Sequence, residues 1–528
     1  MGRALLFALC VFAEFGLGAQ PTFTRMYQSG PSYSFNLIEL HGNSILAGLV
    51  ATNLINPEGY IEHSGYYYNG GTYWTQTLRR FAVNEFYFTT VTSTPPPTPS
   101  CDLPVIGKMD SLGIVSVMHR YDMDAGSCGH SPGGLEITST GGAITWGRDH
   151  DFFALRTDAD LDLVWAKRIY RSGGLRFIKE LPGGDLLAGI NMDTAGVVLA
   201  RMTANGDFLW AKSYIRPKGI VHDALIEADG SFVVIGYTDS TATTGLFGPP
   251  PPLSFQPKLF MMKLDGQGEV QWCRGWKSPT NLWYTPFSAR IERTLDEKYV
   301  VYSNLGRVQD HNRQWPFLMK TDQNGDTLWT RTVGRTDYNY LTQDLLPYSD
   351  GGFLLSGVIY GNMPNGSNGL MYIYKADSLG HFPCWERAHT IEAFDLFPVD
   401  SSFTLVAYDV PTTVSPLFVQ DSILDPSIFT TFDGCSFTTG IPSIQKRKPP
   451  IRVRPNPNTG HFTLSFADPL MAESYYSVYD TMGKLLFQRP LPQGKVTEEV
   501  DLSRFGAGTY VVRVTSKEGS CYERVVVE

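Results

Sequence analysis

A chain of 528 residues that is 42% hydrophobic can bury a large core, and its length suggests two to four domains. Its 52 glycines and 34 prolines suit many short strands joined by turns, and no long stretch repeats apolar residues at helical spacing, so an all-β fold is expected. The formal net charge is −9, and the basic cluster Lys446-Arg-Lys448 sits beside two prolines in a linker-like stretch, which argues against a nucleic-acid partner.

Residues 1–19 read as a secretory signal peptide. Arg3 is the positive start, Ala4 to Phe12 the apolar run, and Gly16 to Ala19 the small residues for cleavage. The run is too short to span a bilayer and no later stretch qualifies, so no transmembrane segment is expected. Leu9 precedes Cys10 where a lipoprotein signal needs a small residue. Six cysteines follow the signal, and no Cys-x-x-Cys pair suggests zinc. Export permits disulfides. Cys101–Cys128 and Cys384–Cys435 are the candidate pairs, with buried thiols as the alternative.

Two frames recur along the chain. One is a strand, a tight turn and a strand, clearest in Phe317-Leu-Met-Lys-Thr-Asp322…Gly325…Trp329. Its other copies are Lys108…Asp110…Gly113…Val117, Arg156…Asp158…Leu161…Trp165, Arg201…Gly206…Trp210, Lys263…Asp265…Gly268…Trp272 and Lys375…Asp377…Gly380…Cys384. The other frame is a turn leading into a strand, clearest in Asp350-Gly-Gly-Phe-Leu-Leu-Ser-Gly357, with copies at 42–48, 141–147, 182–189, 229–236, 296–303 and 400–407. Together they define four strands, A to D, repeating at the period of a propeller blade. Seven B strands against six hairpins leave one blade incomplete. Its C strand is expected at Leu417-Phe-Val419 and its D strand at Thr22 to Tyr27, closing the ring with the N-terminal strand. The tryptophan slots read as packing between blades.

The A–B and C–D turns of such a blade share one face, and the B–C and D–A connections share the other. The connections 52–103, 239–256, 274–285 and 304–315 are long and aromatic. Loops on a rigid scaffold are where function concentrates. Counting back nine positions from each B strand aligns Asn36, Gly134, Arg176, Asp223, Arg290 and Asp344, and an Asp-Leu-x-Pro match adds Asp395. The expected binding site therefore has a charged floor of Arg176, Asp223, Arg290, Asp344 and Asp395 under walls of Tyr67, Trp74, Trp283, Tyr284, His311 and Trp315. The plainer alternative is a self-neutralising ring that only closes the channel.

Sequence motifs for catalysis are weak. Gly129-His-Ser-Pro-Gly133 matches a nucleophile elbow in form, but Pro132 follows Ser131 and no helix follows. Asp158 to Asp162 and Asp322 to Asp326 resemble the start of a calcium loop but lack its glycine and its distal acid, so turn chemistry explains them. No catalytic residue, metal site or cofactor is expected.

After Thr439 the composition changes. Residues 440–450 read as a linker and 451–528 as a separate small β domain, in which period-two strands argue an antiparallel sandwich. The features Pro455-Asn-Pro-Asn-Thr-Gly460 before Phe462, Tyr479-Asp-Thr-Met-Gly-Lys484, Asp501-Leu-Ser503 and Gly508-Thr-Tyr510 closely resemble the type A C-terminal sorting domain of the type IX secretion system. Arg524 stands where the family usually has lysine. The resemblance implies an immunoglobulin-like domain, export through both membranes by the type IX machinery, and a product released or held at the cell surface. Residues 20–439 are similar to the repeat propellers found ahead of such tails. The whole then reads as a seven-bladed β-propeller followed by a small immunoglobulin-like antiparallel β-sandwich. Its expected role is binding or adhesion to a glycan, peptide or other macromolecule. An extracellular hydrolase or lyase with its site at the channel mouth is the alternative.

Overall fold

The computed structural model describes residues 22–28, 36–40, 45–48, 51–68, 77–93, 102–123, 131–148, 152–169, 173–192, 196–214, 219–238, 257–278, 282–307, 310–360, 369–417, 420–424, 430–435, 451–466, 469–470, 474–480, 485–516 and 519–528. The expected signal peptide, the linker 440–450, the connection 239–256, Trp74, Cys101 and Cys128 lie outside them. The described chain is all-β, with one short 3-10 turn at Ser503–Phe505.

Up to residue 435 the strands form seven antiparallel sheets of five strands each. Four strands of sheets 1 to 6 come from consecutive chain, at 36–68, 77–123, 131–169, 173–214, 219–277 and 282–332. Sheet 7 takes three strands from 339–376, and its fourth is Phe23–Gln28, which pairs with Leu370–Ala376. The first strands of the sheets touch in cyclic order, with sheet 7 against sheet 1. The sheets therefore close into a ring, consistent with a propeller.

Turn chemistry explains the hairpin frame. The side chains of Asp110, Asp158, Asp265, Asp322 and Asp377 each accept backbone N–H groups two and four residues on. The calcium-like stretches are two of these turns. Gly113, Gly206, Gly268, Gly325 and Gly380 all take positive φ. Glycine answers a second demand at four of them. A Cβ on Gly206, Gly268, Gly325 or Gly380 would come within 3.2 Å of Trp165, Trp210, Trp272 or Trp329 of the preceding sheet. The tryptophan of one sheet thus lies on the turn glycine of the next. Polar latches follow the same path. His63 Nε2 donates to the Leu112 carbonyl at 2.9 Å, Tyr121 to Leu161 at 2.6 Å, Trp165 to Ala204 at 2.9 Å, Tyr214 to Gly268 at 2.7 Å and Tyr27 to Gly59 at 2.6 Å.

Three expectations about strands are corrected. The third and fourth strands of sheet 1, Ala51–Ile55 and Ile61–Tyr68, fall almost wholly inside the expected connection 52–103, as do the first two strands of sheet 2, Thr77–Ala82 and Glu85–Ser93. Residues 304–307 and 310–315 continue the strands Tyr299–Arg307 and Asp310–Thr321 rather than forming a loop. The N-terminal strand completes the sheet of 339–376, and residues 400–407 supply no B strand.

Residues 387–417, 420–424 and 430–433 instead form a strap around the ring. Its short strands Arg387–Ala388, Glu392–Asp395, Asp400–Ser402, Ala407–Asp409, Thr412–Pro416 and Gln420–Leu424 add fifth strands to sheets 6, 5, 4, 3, 2 and 1 in turn. Thr430–Asp433 then pairs with Phe23–Gln28 in sheet 7. Backbone N–H groups of Leu396, Phe403, Val410 and Leu417 donate to the carbonyls of Cys273, Ala211, Ala166 and Met118. Cys384 and Cys435, at the two ends of the strap, are disulfide-bonded.

The tail has a three-stranded and a four-stranded antiparallel sheet around its own core, which includes Phe462, Leu464, Tyr476, Val512 and Val525. Its motif residues secure the last strand. Asn456 donates to the Arg524 carbonyl at 2.6 Å and accepts from Val526 N–H at 2.8 Å. Tyr510 donates to the carbonyls of Phe505 and Gly506, both at 2.9 Å.

Candidate functional site

Asp223, Arg290 and Asp344 occupy equivalent places on the first strands of sheets 5, 6 and 7, each directly after a register shift. Arg290 Nη1 lies 3.1 Å from Asp344 Oδ1. Asp344 Oδ2 accepts the Leu37 N–H at 2.8 Å. This carboxylate therefore joins sheets 6, 7 and 1. Asp223 accepts the Ile291 N–H of sheet 6 at 3.4 Å and lies 3.7 Å from Lys179 Nζ, whose other acidic neighbour is Glu136 at 3.8 Å. Arg79 donates to Asn36 Oδ1 at 3.1 Å.

Four members of this cluster, Arg79, Glu136, Lys179 and Glu292, escaped the sequence reasoning. Period two along a strand finds Glu136 and Glu292 from the counted Gly134 and Arg290, and finds Lys179 only once the ring position of sheet 4 is moved from Arg176 to Phe177. Glu136, Lys179 and Glu292 stand two residues beyond Gly134, Phe177 and Arg290, on the same strand face. Glu292 is partly reachable by water yet closely surrounded by protein. Burial first, and then the charge of Asp223, push its carboxyl up to about 7 against the pull of Lys179 and Arg290. Lys179 is held above its usual value because Glu136 and Asp223 outweigh its burial. Arg290 is likewise raised by Asp344 and Asp223 against burial. Burial and the neighbouring Arg290 lower Arg79.

Other expected site residues fall elsewhere. Arg176 is the bulge residue between Leu175 and Phe177, and Phe177 takes the ring position. The count slipped because the second strand of sheet 4 begins at Leu186, while Asp185 stays in the turn and pairs with Arg201 at 2.8 Å. Asp395 lies on the strap, 2.8 Å from Arg274 at the ring's outer edge. Tyr284 and Trp315 are core residues rather than pocket walls, and Trp315 Nε1 donates to the Arg335 carbonyl at 2.8 Å. Tyr67, Trp283 and His311 lie on described strands, but their side chains fall outside the described residues.

A recess of about 640 Å³ opens on the face of the A–B turns, opposite the connections. Glu180, Glu227, Glu297 and Arg293 line it with Ser139 and Pro182. Its carboxylates are engaged: Glu180 accepts the Ser139 N–H at 2.5 Å, Glu227 accepts the Tyr299 hydroxyl at 2.5 Å and pairs with Arg293, and Glu297 meets Arg293 at 2.9 Å. Among the described residues no group of three or more His, Cys, Asp or Glu is placed to hold a metal ion, and no helix is long and apolar enough to cross a membrane.

Residues 452–528 match the family described as the secretion system C-terminal sorting domain. This is the type IX sorting domain, which marks proteins exported to the cell surface or secreted. No curated protein matches the chain. Among solved structures, a protein of unknown function from Bacteroides caccae is similar at 12% identity and a TM-score of 0.24, over 47% of this chain and 94% of that one. A eukaryotic initiation factor is similar at 9% identity and a TM-score of 0.33, over 68% and 99%. Neither similarity bears on function.

Proposed function

We propose that residues 20–439 are a seven-bladed β-propeller, exported behind a signal peptide at 1–19. A linker at 440–450 and an immunoglobulin-like sorting domain at 451–528 would follow. The propeller acts outside the cell as a binding or adhesion module for a glycan, peptide or other macromolecule. The type IX machinery is its partner during export, through the tail. The observation that carries the binding reading is the double engagement of Asp344 and Asp223. Each carboxylate faces a cation and also accepts a backbone N–H from the next sheet, so these two acids serve as rivets between first strands in a rigid scaffold.

A second reading, an extracellular hydrolase or lyase, is favoured by Glu292 alone. A carboxyl pushed up to about 7 beside the charge of Asp223 has the protonation of a general acid near neutral pH. Incubating the mature protein with panels of polysaccharides and peptides tests both readings. Retention without products supports binding. Products that vanish in Glu292→Gln support the hydrolase or lyase. The absence of both retention and products removes both readings for these ligand classes.

A further inference from the structure

The strap differs from the ring it surrounds. Its strands run from two to five residues, against six to twelve in most of the ring. Beyond the backbone hydrogen bonds of its short ladders, its side chains make repeated ion pairs with the fourth strands. Lys167 meets Asp409 at 2.9 Å, Lys212 meets Asp400 at 3.6 Å, Arg274 meets Asp395 at 2.8 Å and Arg25 meets Asp433 at 3.4 Å. The strap partners are open to water, Asp409 at 83% and Asp395 at 59% exposure, so each pair contributes little. Some of the strap's apolar surface also faces solvent, with Phe397 81% and Val399 57% exposed. The ring meanwhile closes through its first strands and its tryptophan–glycine joints without using the strap.

Both ends of the strap meet at one place. Thr430–Asp433 covers the free edge of the N-terminal strand Phe23–Gln28, leaving that strand between Leu370–Ala376 and the strap. The Gly434 N–H donates to the Thr24 carbonyl at 2.9 Å, the Thr24 hydroxyl lies 3.1 Å from Cys435 Sγ, and Trp385 Nε1 donates to the Gly434 carbonyl at 2.9 Å. The bond to Cys384, 51 residues back, turns the strap into a covalent hoop around all seven sheets. A chain of that length spans at most ~170–180 Å, or about 25 Å per sheet.

We infer that residues 387–433 are a redox-latched strap, separable from the ring, whose Cys384–Cys435 bond holds the strap on and the N-terminal strand in place. Each local anchor of the strap is small, a short ladder and one apolar side chain per sheet, so the disulfide adds a restraint that acts on the whole strap; on a loop-entropy model closing a loop of this length shifts strap opening by ~10³-fold. Disulfides form in oxidising compartments, so the latch fastens after the chain leaves the cytoplasm. Reduction by a dithiol breaks the S–S bond. The reagent supplies two electrons and two protons and becomes a disulfide, leaving thiols at Cys384 and Cys435.

Hydrogen exchange on the mature full chain tests this, comparing the oxidised protein, the protein in dithiothreitol and the double variant Cys384→Ser/Cys435→Ser. The variant isolates this bond from the other cysteines, and the reduced wild type, folded before treatment, guards against a variant that never folds. The expected result is at least ~100-fold faster exchange in 392–433, faster exchange in Phe23–Gln28, and unchanged protection of inner strands such as Phe232–Thr238. Unchanged exchange in 392–433 would overturn the latch. Simultaneous loss of protection in the inner strands would show that the strap is inseparable from the ring, and also overturn it. A freed strap over an unaltered N-terminal strand would overturn the clamp.

Discussion

Val117 and Leu161 share one packed cluster at the joint between sheets 2 and 3, where the following joints set a tryptophan on a turn glycine. Leu161 holds the left-handed turn conformation at φ 66° and is fully buried. The missing glycine and the missing tryptophan are therefore one exchange. A smaller slot residue leaves room that a leucine fills from the other side.

The pair should behave as a unit. Leu161→Gly alone removes a buried side chain, at about 2–4 kcal/mol, offset by about 1 kcal/mol as the left-handed turn is relieved. Val117→Trp alone drives an indole onto Leu161. The double variant should recover ~1–3 kcal/mol relative to the sum of the singles. Urea unfolding of the four proteins gives the coupling, and simple additivity would refute the exchange.

The aspartates aligned in the sequence should separate sharply. Asp344 is 5% exposed and holds Arg290 and the Leu37 N–H, so Asp344→Ala leaves a largely enclosed guanidinium unpaired and should lose about 3–5 kcal/mol. Asp395 is 59% exposed, and Asp395→Ala should lose no more than ~1 kcal/mol. Equal losses in chemical denaturation would contradict the two placements.

Glu292 gives a pH dependence of definite sign. Its carboxyl is raised to about 7 in the folded protein, so between the unfolded value near 4.5 and 7 the folded state binds more protons. Its contribution is fully present below that window and is lost as pH rises through it. Glu292→Gln should flatten this decline and be more stable than wild type at pH 8, by ~1–2 kcal/mol. Parallel stability profiles from about pH 4 to 8 would show that Glu292 is not the group responsible.

Removing the chain up to residue 28 should cripple the ring. Phe23, Met26 and Tyr27 are buried, and at ~1.5–3 kcal/mol each their loss approaches the whole stability of an ordinary domain. Aggregation, or a Tm far below that of the intact body, is expected. A truncated protein that melts like the intact one would contradict closure by this strand.

The tail makes a separate prediction. Asn456→Ala strips two hydrogen bonds from the closing strand and should lower tail stability by ~1–3 kcal/mol while leaving the body folded. Deleting 451–528 should abolish surface delivery or secretion. Normal delivery of the truncated protein would refute its sorting role.

Much of the ring was legible because its turns repeat one chemistry: a side-chain acceptor, usually a carboxylate, at the first position, positive φ three residues on, and most often an aromatic ring four beyond that. The first hairpin obeys this frame with Asn56, Gly59 and His63, but asparagine and histidine in place of aspartate and tryptophan hid it. The strap was illegible for a different reason. Its anchors Leu396, Phe403, Val410 and Leu417 recur every seventh residue, one apolar side chain per sheet, too sparse for a strand pattern. Asp400-Ser-Ser-Phe-Thr-Leu-Val-Ala407 imitates a turn and strand because an acid facing Lys212 and an apolar anchor happen to fall at the same spacing. Of the site, counting reached Asp223, Arg290 and Asp344 but missed Lys179 and Glu292, whose importance depends on which neighbours the ring brings to them.

Repeat proteins commonly change size by duplicating or losing whole units, since each unit contacts only its neighbours. Here that route is obstructed. An added unit of some fifty residues would bring a sheet for which the strap, with about seven residues and one short strand per sheet, has no strand to offer. A lineage that gained a sheet would keep the strap's match of one strand per sheet only by lengthening a second, distant stretch of the gene at the same time.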